Sequence, residues 1–190
     1  MIGVRSAERS ATDGSAAGVR AGAGVWLVFA ATLLAGTMAG FFWSFSIVVM
    51  PGLAALDPLD AMAAMQAINA AVRNAVFGLV FAGAIVSCLA VLVLAAIHRR
   101  GAWSWLALAG AAVYVAGAAG TTVGFNVPLN RMLEPLDPRL AENAPVMLGY
   151  LEDWTRWNHV RTLASLAAFI LFSAALVAAA TGRGGRASGR

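Results

Sequence analysis

The chain contains no lysine and few charged residues of any kind. Only 12% of its 190 residues are charged, against about 25% in an ordinary soluble domain. Hydrophobic residues make up 61% of the chain, and its mean hydropathy is +0.78. This balance leaves too little polar surface to cover a water-soluble globule. The composition therefore argues against a soluble enzyme and against a disordered or fibrous chain, and it indicates one membrane-embedded domain.

Cysteine and histidine are also scarce. Cys88 is the only cysteine, so an internal disulfide, a paired-cysteine redox motif and a cysteine-based zinc site are excluded. Two histidines, His98 and His159, are too few for a histidine-rich haem or multi-copper centre. A metal held mainly by oxygen stays open, because Glu152, Asp153 and His159 could combine with carboxylates of the preceding loop, although their spacing matches no ligand motif. Because no ligand motif is present, we expect no metal and no organic cofactor, with the oxygen-bound metal kept as an alternative.

All thirteen basic residues are arginine, which gives a net charge of +4 and a pI near 10.6. They flank apolar runs instead of forming a patch, so they act as topology signals and do not indicate nucleic-acid binding. Arginine without lysine, together with heavy use of alanine and glycine, is typical of a GC-rich bacterial genome.

Four uncharged segments are long enough to cross a bilayer. They are residues 23–50, 75–97, 102–123 and 162–180. The last and shortest would rise roughly 28 Å as a helix, and a spanning helix needs about 20 mainly apolar residues. The first is too long for the apolar core of a signal peptide, so we expect it to be retained.

The predicted fold is all-α, an integral membrane four-helix bundle that forms a single domain over residues 23–180. Polar, glycine-rich segments at 1–22 and 181–190 are expected to be disordered cytoplasmic tails. Eight arginines lie in these tails and in the 98–101 turn, whereas five lie in the other two connections. Because arginine-rich segments stay cytoplasmic, we place both termini inside and the protein in the bacterial inner (plasma) membrane.

The two outward connections, 51–74 and 124–161, do not look like simple linkers. After Asp57, residues 58–74 begin with proline and alternate apolar and polar positions at helical spacing. They predict an additional amphipathic helix between spans 1 and 2, packed near the outward mouth of the bundle. The second connection is long enough to be functional or partly helical.

Glycines recur at helix-contact spacing in two spans. Gly36 and Gly40 are four residues apart, and so are Gly120 and Gly124. Such spacing lets helices approach closely in lipid. Tight packing within the bundle is the first interpretation, and a homo-oligomer interface is the alternative.

Polar and aromatic side chains gather at the outward ends of the spans. They are Trp43, Gln66, Asn69, Asn126, Asn130, Trp154, Trp157, Asn158, His159 and Arg161. Trp154, Asn158 and Arg161 fall on one face of a helix. Because arginine and asparagine are costly in lipid, this face should point into the bundle. Interfacial anchoring and helix capping are the structural alternatives.

Four stretches of the chain, in order, resemble one known family. They are GFFWSF and VMPGL over residues 40–53, AMQAIN over 64–69, NVPLN over 126–130 and WTRWNHVRT over 154–162. Together they resemble the anthrone-oxygenase-like integral membrane family over residues 25–180. The resemblance implies, for some fungal members, oxidation of a polyketide anthrone to an anthraquinone by O₂ without an organic cofactor; most bacterial members have no assigned reaction. The resemblance implies a site at the asparagine pair and the Trp, Asn and Arg positions of the family, which correspond here to Asn126, Asn130, Trp157, Asn158 and Arg161.

The first functional hypothesis is a membrane oxygenase or oxidase that acts on a lipophilic aromatic molecule. Arg161 would stabilise an enolate or phenolate, with neutral hydrogen bonds from Asn158. His159 is the candidate base with an ordinary pKa near neutrality, and Glu152 or Asp153 could replace it. The expected substrate-binding residues are Asn126, Asn130, Trp157, Trp154, Gln66, Asn69 and Trp43. The second hypothesis is a non-enzymatic membrane protein that binds or passes a small lipophilic molecule, or supports a partner.

Overall fold

The computed structural model describes residues 2–97 and 101–187, with side chains over 22–181 apart from Ala96 and the 98–100 turn. These residues form helices joined by short connections, and no strand occurs among them. The α-helices are α1 (Ile2–Ser44), α2 (Met50–Ala54), α3 (Pro58–Val72), α4 (Ala75–Ile97), α5 (Ala102–Val113), α6 (Val127–Leu133) and α7 (Ala144–Ala187). The π-helical segments are Phe45–Val49, Tyr114–Ala119 and Thr122–Asn126, and a 3₁₀ turn covers Ala141–Asn143. The all-α prediction is confirmed.

Four of the described helical segments are long and apolar enough to cross a membrane. They are Gly22–Ala54, Ala75–Ala95, Ala102–Leu133 and Ala141–Thr181, here called the first to fourth spans. Each overlaps one of the uncharged segments of the sequence, so the four-span prediction is confirmed. Large apolar side chains such as Leu79, Leu163 and Ile170 are exposed on the outside of the bundle, where lipid would cover them.

The spans pack in a ring that follows chain order. The first span packs against the second and fourth, and the third packs against the same two. Only a few residues separate the second and third spans in the chain, and the two spans pack together as antiparallel neighbours. Phe42, Tyr114 and Phe172 are among the largest side chains in the central apolar core.

Two glycines permit close helix contacts inside the bundle. A Cβ added at Gly117 would lie 2.5 Å from the Cβ of Ala164, and one at Gly36 would lie 2.9 Å from the ring of Phe169. At both positions glycine lets the helices approach closely, because a side chain would force Ala164 or the Phe169 ring to move. Gly40 and Gly124 face open space instead, so self-association through them stays a prediction.

The additional helix between spans 1 and 2 is present as α3. Asp57 caps its start, since the carboxylate Oδ1 accepts a hydrogen bond from the Leu59 backbone N–H at 3.0 Å. Ala61, Met62 and Met65 are buried in a second apolar core. The other buried members of that core are Phe45, Met50, Leu53, Leu133, Met147, Tyr150 and Trp154. This second core closes the end of the bundle at which α3 and α6 lie.

An ion pair fastens the end of α3 to the end of α6. A terminal nitrogen of Arg73 lies 2.8 Å from a carboxylate oxygen of Glu134, with both side chains half exposed. The hydrogen bond from Arg73 and its positive charge hold the pKa of Glu134 below the ordinary value of 4.5. Solvent screening keeps the contribution of this pair to stability small.

The 124–161 connection is shorter than the sequence suggested, which corrects the predicted span ends. The third span continues through Pro128 to Leu133, and the fourth begins at Ala141. Pro128 does not break the helix, because it stands in the first turn of α6, after the π-helical Thr122–Asn126. The polar residues expected in a loop therefore lie on two long helices.

Helices also continue into the segments expected to be disordered. α1 begins at Ile2 and α7 ends at Ala187, and the expected disorder of the cytoplasmic tails at 1–22 and 181–190 stays a prediction. His98 lies outside the described residues. The limits of the single membrane domain, 23–180, stay a prediction.

Candidate functional site

The guanidinium of Arg161 lies inside the bundle, close to two aromatic rings. Arg161 is only 5% exposed. Its Cζ lies 4.3 Å from the ring centre of Phe42 and 4.6 Å from that of Trp154. Its Nε donates a hydrogen bond to Asn158 Oδ1 at 2.7 Å. We call Phe42, Ser46, Trp154, Asn158 and Arg161 the arginine cluster.

Arg161 has no carboxylate partner in the part of the chain whose side chains are described. Three ion pairs form there, and each lies at the surface: Arg73–Glu134, Arg139–Asp137 and Arg156–Asp153. Burying an ion costs several kcal/mol, whereas a cation–π contact returns about 2 kcal/mol when desolvated. The cluster therefore holds a buried positive charge with aromatic neighbours but no anion.

Asn158 joins the fourth span to the first. Its Nδ2 donates to the backbone carbonyl of Phe42 at 2.9 Å and to Ser46 Oγ at 2.7 Å. Its Oδ1 accepts from Arg161, so both ends of the amide are used. Ser46 lies in the π-helical segment Phe45–Val49, and π segments of this kind frequently occur at functional sites.

His159 lies at the exposed edge of the arginine cluster. Its Nδ1 is 3.0 Å from Ser46 Oγ, while the residue as a whole is exposed. Ser46 Oγ is also 3.2 Å from Thr162 Oγ1, and the Thr162 hydroxyl donates to the Asn158 carbonyl at 2.7 Å. A continuous set of hydrogen bonds thus links the surface histidine to the buried arginine.

Two asparagines of the third span meet Trp154. Asn130 Oδ1 accepts from Tyr150 Oη at 2.8 Å and from Trp154 Nε1 at 2.7 Å. Asn126 Nδ2 donates to the Trp154 carbonyl at 3.1 Å. Asn126 is buried, and its Oδ1 has no hydrogen-bond partner among the residues whose side chains are described. Trp154 therefore connects these asparagines to Arg161, and Asn126 offers an unused acceptor.

Gln66 and Asn69 lie on α3, at the end of the bundle that the second core closes. Gln66 Nε2 donates to the carbonyls of Leu133 and Leu136 at 3.0 and 2.8 Å, which satisfies the end of α6. Asn69 interacts with the Tyr150 hydroxyl. Neither side chain has a hydrogen bond to Arg161 among the described contacts, so their expected substrate role stays a prediction.

Trp43 and Trp157 face two surface grooves instead of Arg161. Trp43 is 47% exposed, and Trp157 stacks on Phe125 with 3.5 Å between ring centres. The groove beside Trp43 has a volume of about 420 Å³, and we call it the lipid-facing groove. It is lined by Leu33, Gly36, Ala39, Gly40, Trp43, Leu166 and Phe169. The second, of about 330 Å³, is lined by Gly124, Phe125, Pro128, Leu129, Met132, Asp153 and Trp157. Arg161 lines neither groove.

The alternative metal site does not assemble. Among the described residues, no three histidine, cysteine or acidic side chains lie close enough together to hold a metal ion. Asp153 is instead paired with Arg156, at 2.7 Å between Oδ1 and a terminal nitrogen.

Sequence reasoning did not assign site roles to Ser46, Thr162, Tyr150 or Phe42. Phe42 and Ser46 belong to an apolar span. Phenylalanine and single serine residues are common in such spans, so neither residue indicates a functional site by itself. Tyr150 was expected in a loop, but α7 begins before it and carries it into the second core. The GFFWSF stretch of the family resemblance contains both Phe42 and Trp43. Trp43 was predicted there as a site residue, but it is Phe42 that contacts Arg161.

Comparison with known proteins supports one family. The family described as anthrone oxygenase matches residues 65–171, which is more than half of the chain. The match includes every proposed site residue except Trp43, while Phe42 and Ser46 of the first span lie outside it. Searches of curated proteins and of solved structures find no significant match. The chain belongs to the anthrone oxygenase family.

Proposed function

We propose that this membrane protein binds an acidic, lipophilic, anthrone-like aromatic molecule at the arginine cluster and promotes its oxidation by O₂. The observation that carries the proposal is the buried Arg161, whose guanidinium has aromatic neighbours and no carboxylate. A phenolate or enolate would supply the missing negative charge. Membership of the anthrone oxygenase family supports this class of substrate.

The residues around Arg161 fit such an anion. The rings of Phe42 and Trp154 both lie close to the guanidinium, and a ligand oxygen would bind at its terminal nitrogens. Only Nε donates a hydrogen bond to a described residue. Asn126 Oδ1 would accept a hydrogen bond from a ligand hydroxyl, because it is buried without a donor. Asn130 would support the same site by holding Trp154, whereas Trp157 lines the separate groove beside Phe125.

The reaction needs proton removal more than a cofactor. Loss of one proton from the methylene group of an anthrone gives a delocalised enolate, which can transfer electrons to O₂. Overall, one anthrone and one O₂ give one anthraquinone and one water, so one oxygen atom becomes the new carbonyl. Arg161 would stabilise the anion, Asn158 would orient Arg161, and His159 would accept the proton.

The depth of the cluster suits a substrate dissolved in the bilayer. The helix from Arg161 to Thr181 rises roughly 30 Å at 1.5 Å per residue, which is about the thickness of the hydrocarbon core. Arg161 would therefore lie near the outer boundary of that core. The lipid-facing groove ends at Trp43, next to Phe42 in the chain. We propose that ligands approach from lipid along it.

A non-enzymatic protein that binds or passes a small lipophilic molecule is the second candidate. The lipid-facing groove favours it, because all seven lining residues are apolar or glycine. Such a protein would use the same groove without oxidising its ligand.

Binding and turnover by the wild-type protein separate these functions. In phospholipid nanodiscs without O₂, we expect a hydroxyanthrone to bind at least about tenfold more tightly than the fully O-methylated anthracene made from it, in which the enol oxygen and the hydroxyl both carry methyl groups, because only the former can become an anion. Admission of O₂ should then produce anthraquinone faster than in empty nanodiscs, with one O₂ consumed per product. Binding without faster oxidation would favour the second candidate. Equal binding of the two ligands would contradict an anion site.

We also propose that both termini are cytoplasmic, in a bacterial inner membrane, so that the cluster faces outward. The argument is the excess of arginine in the terminal segments and the 98–101 turn. With Cys88 replaced by alanine, a membrane-impermeant thiol reagent added to intact cells should label Leu140→Cys and not Ser10→Cys. Labelling at residue 10 alone would invert the topology.

A further inference from the structure

The hydroxyl of Ser46 has three hydrogen-bonding neighbours whose donors and acceptors can be assigned. Its Oγ lies 2.7 Å from Asn158 Nδ2, 3.0 Å from His159 Nδ1 and 3.2 Å from Thr162 Oγ1. A hydroxyl has one hydrogen to donate and two lone pairs that accept. Three neighbours therefore use all of its capacity, provided that one of them accepts and two donate.

The orientation of the Asn158 amide is fixed by its other neighbours. Arg161 Nε can only donate, and it lies 2.7 Å from the atom assigned as Asn158 Oδ1. The Phe42 carbonyl can only accept, and it lies 2.9 Å from Nδ2. In a flipped amide, the NH₂ group would face the N–H of Arg161, and the amide oxygen would face the carbonyl oxygen of Phe42. Asn158 therefore donates to Ser46, which uses the first lone pair of Oγ.

The hydrogen of the Thr162 hydroxyl is also assigned. It goes to the backbone carbonyl of Asn158 at 2.7 Å, which can only accept. Thr162 Oγ1 can then only accept from Ser46. The hydrogen of Ser46 is consequently directed to Thr162, and the second lone pair of Ser46 faces His159.

From this arithmetic we infer that His159 carries its proton on Nδ1 and donates it to Ser46. The opposite tautomer would turn the Ser46 hydrogen towards His159 and leave the oxygens of Ser46 and Thr162 facing each other without a hydrogen. In the assigned tautomer, neutral His159 has its free lone pair on Nε2. The role of this tautomer rests on the proposed function. In that function, Ser46 and Thr162 are positioning residues that keep Nε2 unprotonated, so that it can accept the substrate proton.

Nitrogen-15 NMR reads this tautomer without any ligand. The protein would be labelled at histidine nitrogen and placed in nanodiscs at about pH 8.5, two units above the ordinary histidine pKa. His98→Gln leaves one histidine in the chain. We expect a protonated, pyrrole-type shift for Nδ1 and an unprotonated, pyridine-type shift for Nε2. The reversed pair of shifts would overturn the assignment.

Substitutions test the cause of the preference. Thr162→Val removes the acceptor for the Ser46 hydrogen, so we expect most of the population to change to the Nε2-protonated tautomer; Thr162→Ser should keep the wild-type signals. Ser44→Ala is the matched control, because the Ser44 hydroxyl bonds only to the Gly40 carbonyl of its own helix, at 2.9 Å. Unchanged signals in folded Thr162→Val would contradict the inferred chain. Because no ligand is present, failure of anthrone binding would count against the proposed function alone.

Discussion

Replacement of Arg161 by glutamine is expected to weaken binding of a hydroxyanthrone roughly 100-fold and to stop its oxidation. The size follows from the loss of a charge-assisted contact worth about 3 kcal/mol, at about 1.4 kcal/mol for each factor of ten. Arg161→Lys should recover only part of the affinity, because an ammonium is a point charge without the planar fork of donors. Anaerobic titration in nanodiscs and anthraquinone formation measure the two effects.

The stability of the same variant separates a ligand site from a structural arginine. Arg161 is buried without a carboxylate, so Arg161→Gln removes a desolvated charge together with its cation–π contacts. We expect these effects largely to cancel and the unfolding midpoint to stay close to that of the wild type. An arginine that only holds the helices together would instead lose stability with little change in ligand discrimination.

Arg156→Gln provides the matched control. It makes the same change five residues earlier on α7, where the side chain is exposed, paired with Asp153 and 5.8 Å from the Trp157 ring centre. Ligand affinity should stay within a factor of two or so, since surface pairs contribute about 0–1 kcal/mol. Full affinity in Arg161→Gln, or an equal loss in both variants, would refute the site proposed here.

Replacement of Asn158 by alanine is expected to destabilise the protein by about 2 kcal/mol. Three hydrogen bonds disappear, and polar side-chain bonds inside membrane bundles average about 0.6 kcal/mol each. The Nε of Arg161 also loses its partner, which adds to the cost because a charged donor is left buried. Unfolding in mixed micelles with increasing denaturing detergent measures the change.

Asn143→Ala is the control for this substitution. Asn143 makes one side-chain hydrogen bond, from Nδ2 to the Asp137 carbonyl at 2.9 Å, in the connection before α7. Its removal should cost less than about 1 kcal/mol. Equal stability of Asn158→Ala and wild type would mean that the bond between the first and fourth spans contributes little.

The two predictions concern different properties of one cluster. Arg161 provides the charge, and its replacement should affect ligand binding much more than folding. Asn158 joins two spans and orients that charge, so its replacement should affect both. A double substitution of Arg161 and Asn158 should therefore be less unstable than the sum of the two changes, because no buried charge is left without a partner.

The sequence alone determined that this chain is a helical membrane protein. Uncharged runs about as long as the hydrocarbon core is thick leave only a spanning helix, because backbone groups in lipid must be paired within their own segment. The capping Asp57 and Pro58 likewise predicted α3 from local chemistry. The inward face of Trp154, Asn158 and Arg161 followed from helical spacing and from the cost of burying arginine in lipid.

Only the tertiary structure decided which side chains surround Arg161. Phe42 and Ser46 are more than one hundred residues away in the chain, and nothing local to them indicates a partner on the fourth span. Trp43 is their neighbour but turns to the lipid-facing groove, since successive helix residues point about 100° apart. The π-helical turns shift the register of the first and third spans by amounts that apolar periodicity does not record. The site therefore depends on helix packing, which brings the π-helical turn of the first span against Asn158.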